Sequence, residues 1–160
     1  MNTNDTTAPI TARITLGKFK YFAGMSEETN AFTANVMLDG KVIGYADNHG
    51  KGGCTHVRFV CDNRHEMEVH QTAIADHIDT LVDAEVMKKE TARIVAKVRR
   101  DAIKKAQFIK TTTQKGFVAG FKNVTDLNRS QAVAQAKAHP EFKTMVADMT
   151  DAEIADWFIA

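Results

Sequence analysis

The chain has 160 residues, 44% hydrophobic and 26% charged, an ordinary balance for a globular protein and enough length to bury a real core. Its 21 Lys and Arg against 20 Asp and Glu leave a net charge of +1, which excludes a polyanionic nucleic-acid mimic and a uniformly basic coating protein. Two cysteines, Cys54 and Cys61, are too few for a disulfide framework. With no leader-like start and no run of about 20 apolar residues, the expected setting is the cytoplasm, without a membrane partner.

In chain order, the Thr- and Asn-rich start reads as a flexible tail over 1–10, followed by one α+β domain over 11–160. That domain is expected to be mostly β over 11–62 and mostly α over 63–160. Ile14, Leu16, Phe19, Tyr21 and Phe22 favour a first strand, kinked at Gly17. Phe32, Ala34, Val36 and Leu38 alternate with Thr33, Asn35 and Met37 as a half-buried strand. Asp39-Gly40 then signals a tight hairpin, because a type I′ turn needs positive φ. Val42, Ile43 and Tyr45 return, a glycine-rich loop follows over 47–54, and Thr55 to Cys61 reads as a fourth strand. On it Val57, Phe59 and Cys61 share one face.

At Asp62 the period becomes helical. Asn63 with Glu66 three residues on resembles a capping box, and Met67, Ile74, Ile78, Leu81 and Val82 form an apolar stripe. Asp83 either starts a second helix or lies within a continuous one. A second stripe comprises Met87, Ile94, Val95, Val98, Ala102 and Ile109. The run 117–121 is either strand or buried loop, and a helix is expected from Leu127 to Ala138, stopping before Pro140. Glu141 to Asp148 reads as a short helix with Pro140 in its first turn. Thr150 with Glu153 makes another capping box, opening a last helix through Ile154, Trp157 and Phe158.

The motif Ser26-Glu27-Glu28-Thr29, Phe32-Thr33-Ala34, Asp39-Gly40, then Asn48-His49-Gly50 and Gly52-Gly53-Cys54 resembles a pattern of small, mostly uncharacterised phage and plasmid proteins. It covers about residues 18–60 and does not reach the helical part. The resemblance implies a mobile-element origin, hence a host-cell cytoplasm, and carries over no catalytic residue.

Four candidate sites follow from the residues. In the loop Asn48, Gly50, Lys51, Gly52 and Gly53, successive amides can line one concavity that contacts an anion or a partner's backbone; the alternative is a hairpin loop that needs positive φ. Cys54, His56, Cys61 and His65 have ligand chemistry, but their spacing fits no common zinc motif, so neither metal nor other cofactor is expected. Cys54 with His56 and His49 offers the ingredients of nucleophilic catalysis without a surrounding signature. Lys89, Arg93, Lys97, Arg100 and Lys104 form a cationic helix row within 83–110, a segment with nine Lys/Arg against four Asp/Glu. Such a row follows a phosphate backbone or an acidic protein face. Of the aromatic residues only Phe108 lies near it in sequence, which argues against a stacking platform. The bland reading is a solvated helix face. Trp157, Phe158 and Ile159 are expected to dock on the chain's own core rather than on a partner.

The expected fold is therefore α+β, a small antiparallel β-meander of about four strands packed against four to five α-helices. The expected function is that of a non-enzymatic binding protein that docks the basic helix on nucleic acid or on an acidic host-protein surface. Interference with a host defence or replication complex is compatible with it. The alternatives are a small Cys/His enzyme using the glycine-rich loop, or an oligomeric assembly protein.

Overall fold

The computed structural model describes residues 9–159. Most of the expected tail lies outside these residues, whereas Ile10 sits in a 3-10 turn, Ile10–Arg13, and packs on the core. Internal contacts divide the chain between Met87 and Lys88 into two units.

In the first unit, strands β1 (Ile14–Tyr21), β2 (Phe32–Leu38), β3 (Lys41–Asn48) and β4 (His56–Phe59) form one antiparallel sheet in chain order. This is the meander that the alternation predicts. Asp39 (φ 49°) and Gly40 (φ 79°) make the tight turn. The Arg13 guanidinium hydrogen-bonds the Asp39 carboxylate, which lowers that carboxyl below its ordinary range. The kink expected in β1 is a register shift between Gly17 and Lys20, with Lys18 at φ 45°.

One face of the sheet is apolar, with Phe32, Val36, Ala46 and Phe59 buried. Met67 from helix α1 (Arg64–Val69) and Ile74, Ile78 and Val82 from helix α2 (Gln71–Lys105) join the same cluster. Each fully buried Ile contributes about 2–3 kcal/mol through area removed from water.

In this region one open alternative is decided and one expectation is corrected. The helical segment breaks at His70 (φ −103°, ψ 11°), and α2 runs through Asp83 without interruption, the continuous alternative. Asn63 occupies the N-cap of α1, but its φ of −92° and ψ of 31° are not the extended geometry a cap needs, and its side chain caps no amide.

The second unit is built on the C-terminal part of α2. That helix ends at Lys105, where Ala106 turns left-handed (φ 45°) and the Gln107 N–H donates to the Ala102 carbonyl at 3.0 Å. Ile109, expected on the helical stripe, lies instead in β5 (Phe108–Lys110), which pairs antiparallel with β6 (Phe142–Met145). The short helix expected over 141–148 is thus β6 followed by a 3-10 turn, Val146–Asp148. The run 117–121 is a loop tied by one bridge, Ala119 to Phe108.

Helix α3 (Arg129–Lys137) ends before Pro140, as proline geometry requires. Helix α4 (Asp151–Phe158) buries Ile154 against Val95, Ala102 and Val146, with Trp157 and Phe158 packed on the same cluster. The terminal aromatics therefore dock on their own unit, as expected. The described residues thus hold four α-helices, one of 35 residues, a four-stranded sheet and a two-stranded sheet.

The Thr150–Glu153 capping box forms. The Thr150 hydroxyl accepts from the Glu153 N–H at 3.3 Å, and the Glu153 carboxylate accepts from the Thr150 N–H at 2.7 Å. That backbone bond, seconded by the hydroxyl, holds the Glu153 carboxyl below the ordinary glutamate range. A depressed carboxyl stabilises the fold above its unfolded value and loses that contribution as pH falls through the folded one. An NMR carboxyl titration should find the Glu153 midpoint below that of a free glutamate, with α4 fraying in the same acid window. An ordinary midpoint would remove the box from the account.

Candidate functional site

The glycine-rich loop does not stand open. The Gly50 carbonyl accepts the N–H groups of Glu27 (2.9 Å), Glu28 (3.0 Å) and Thr29 (3.5 Å). Asn48, only 8% exposed, accepts at Oδ1 from the Gly50 N–H (2.8 Å) and the Thr29 hydroxyl (2.9 Å), and its amide donates to the Gly53 carbonyl (2.9 Å). The Gly52 N–H reaches the Thr29 Oγ1 at 3.4 Å. Amides at 50 and 52, which an anion would need, are therefore bonded inside the protein. Lys51 is exposed beside them. The two halves of the sequence motif, 26–29 and 48–53, are one hydrogen-bonded unit.

Replacing Asn48 by Ala leaves the Gly50 N–H and the Gly53 carbonyl without these partners. We expect a loss of about 2 kcal/mol in urea denaturation. A loss under about 0.5 kcal/mol would mean that water or another side chain replaces the amide.

Beside this loop lies a hollow of about 500 Å³ lined by Glu27, Glu28, Asp79, Asp83 and Tyr21 among others. Asp79 takes the Thr55 hydroxyl and Asp83 takes the Asn30 amide at 2.7 Å. Its carboxylates give it the wrong sign for a polyanion. The division at Met87 in fact separates charge: residues 1–87 carry seven Lys/Arg against twelve Asp/Glu, or −5, and residues 88–160 carry fourteen against eight, or +6. The near-zero net charge of the chain is a cancellation between unlike halves.

The cationic row lies wholly in the second unit. Lys89, Arg93, Lys97, Arg100 and Lys104 are all exposed on α2. From Arg93 to Lys104 the row spans about 16 Å of helix, one cation every 4.5–6 Å or so. Arg93 pairs with Glu90 at 2.7 Å, while Lys97, Arg100 and Lys104 make no ion pair among the described residues. Arg99, on the flank, serves the fold instead, binding Asp151 at 2.6 Å and the Met149 carbonyl at 2.9 Å. Cations in the last turn of α2 also favour that helix end through its dipole, a structural reason for Lys104 and Lys105.

The row borders two adjoining hollows. One, of about 390 Å³, has Arg93, Lys97 and Arg100 around Val98, Val118 and Phe158. The other, of about 650 Å³, has Lys104, Lys105 and Lys122 around Phe121 and Val124. Gln107 and Val118 belong to both. Sequence reading missed Lys122, Gln107, Phe121 and Phe158, which reach the helix only through the folding of residues 107–158. Their mixture of Lys and aromatics around 117–122 was the one available signal.

Among the other candidates, His49 faces Asp47 at 3.6 Å, and Cys54, though exposed, hydrogen-bonds neither His49 nor His56 among the described residues. No group of three or more His, Cys, Asp or Glu among them is placed to hold a metal ion. No described helix is long and apolar enough to cross a membrane. Taken together, fold and surface define an α+β protein with a basic, hollowed face in its C-terminal unit. Comparison with protein-family models, curated proteins and solved structures gives no significant match.

Proposed function

We propose that this chain is a non-enzymatic binding protein, of the kind phages and plasmids encode, that docks the basic face of its second unit on nucleic acid. The observation that carries this is the row Arg93, Lys97, Arg100 and Lys104, exposed and, apart from Arg93, without ion pairs among the described residues. Lys105 and Lys122 extend it around two hollows. Surface cations in such number repel one another unless a polyanion collects them, and phosphate contacts return free energy by releasing condensed counterions. Since backbone phosphates carry no sequence information, binding by this row is largely sequence-independent. Docking on a host replication or defence complex would follow from the same face where that complex holds nucleic acid.

Fluorescence anisotropy of labelled DNA and RNA, titrated across a salt series, tests the reading. We expect affinity to fall linearly on a log–log scale, with a slope of about −3 if four phosphates are neutralised. No binding at low salt, or binding indifferent to salt, would overturn it. Capture of a protein from host lysate that survives nuclease treatment, with no oligonucleotide binding, would assign the face to an acidic protein surface instead.

A further inference from the structure

We infer that the ligand of this face is single-stranded nucleic acid, with two unstacked bases seated in the adjoining hollows and the phosphates following the cation row. This rests on the nucleic-acid reading above and adds the form of the strand.

A duplex offers the row its phosphates, but the apolar faces of its bases are stacked inside and only their polar edges show in the grooves. It would leave the apolar floors, Ile94, Val98, Val118 and Phe158 in one hollow and Phe121 and Val124 in the other, facing water. Apolar surface set beside cations that outnumber the one carboxylate lining the hollows, Asp101, gains free energy when a flat, apolar-faced and locally anionic group covers it. A nucleotide with its base turned out is such a group. The two volumes, about 390 and 650 Å³, lie in the range of small-ligand sites.

The polar group between the hollows is the side chain of Gln107. Its backbone is fully used, donating to the Ala102 carbonyl and accepting from the Val146 N–H at 3.0 Å each, yet its side-chain amide has no hydrogen-bond partner among the described residues. A primary amide offers both donor and acceptor, the pairing that reads exposed base edges. Gly120 keeps this point open. A Cβ there would come within 3.2 Å of both the Gln107 Cγ and the Lys105 carbonyl, displacing the amide. The Phe121 ring is braced by stacking on Phe108, with centroids 6.0 Å apart.

The test compares, at one salt concentration, single-stranded DNA, single-stranded RNA and an abasic single strand of equal length and charge, together with a blunt duplex of the same length, whose doubled phosphate charge favours it on electrostatics alone. We expect the base-bearing single strands to bind at least about tenfold more tightly than the abasic strand, and more tightly than the duplex. The DNA and RNA arms separate the two sugars. Gln107→Ala should weaken the base-bearing strands about three- to tenfold and leave the abasic strand unchanged, so the abasic arm also reports that the variant is folded. Equal binding of abasic and base-bearing strands, or duplex binding as tight as single-strand binding, overturns this inference and leaves the docking of the basic face standing. Failure of every oligonucleotide to bind at low salt overturns both.

Discussion

A Gly50→Ala variant is expected to lose about 3 kcal/mol or more of folding stability, the largest effect of any one-carbon change in the loop. Gly50 has φ +82°, a region that costs an L-residue about 1–2 kcal/mol. An added Cβ would also overlap the Met25 carbonyl and sit 2.9 Å from the Ala31 Cβ, and neither is the free end of a flexible side chain. Relief would require moving the backbone that presents the Gly50 carbonyl to three amides, so strain and lost hydrogen bonds add.

The neighbouring glycines calibrate the prediction. Gly52 has φ +80°, but its Cβ would meet only the carboxylate end of Glu28, which can swing away, so Gly52→Ala should cost about 1–2 kcal/mol. Gly53 has no positive φ and open space around a Cβ, so Gly53→Ala should stay within about 0.5 kcal/mol. Urea denaturation of the three variants gives the order directly. Equal midpoints at 50 and 53 would mean that the loop is not locked onto 26–29.

This lock explains what the sequence motif is for. The serine, glutamates and threonine at 26–29 and the glycines at 50–53 were legible as one pattern, but the pattern did not say why they belong together. The reason is a non-local set of hydrogen bonds that converge on the Gly50 carbonyl and the Asn48 side chain. At three places the determinant is local and the residues were sufficient. The Asp39-Gly40 turn needs two positive φ angles, the alternation over 32–38 needs one buried face, and the Thr150 cap needs Glu153 three residues on.

Where the determinant was a distant partner, local reading failed. Phe142 to Met145 lies after a proline in a segment that could begin a helix, but it pairs with Phe108 to Lys110, more than thirty residues away. The same pairing takes Ile109 off the helical stripe. At Asn63 the residue type suits a cap, and the backbone angles do not. The candidate site divides in the same way: the five helix cations were visible from their spacing, whereas Lys122, Gln107 and Phe158 are brought to them by the fold of the second unit.

The charge reversal Arg93→Glu, Lys97→Glu and Arg100→Glu is expected to lower affinity for nucleic acid at least about 100-fold, some 3 kcal/mol. Three cations become three anions, taking the formal charge of residues 88–160 from +6 to zero. Each lost phosphate contact should also remove about 0.7 from the salt slope, so the variant's slope should be shallower by about 2. The fold should tolerate the change, because all three side chains are exposed and only Arg93 has an ion pair, with Glu90 in the adjoining turn. Total charge is a competing explanation, and a matched variant removes it. Lys20→Glu, Lys41→Glu and Arg58→Glu alter the net charge equally on exposed positions of the first unit. If the second-unit face is the binding surface, that control should lose no more than about threefold, the effect of a more distant and screened field. Equal losses in the two triple variants would mean that the chain responds to its overall charge, and the row on α2 would then have no special part in binding.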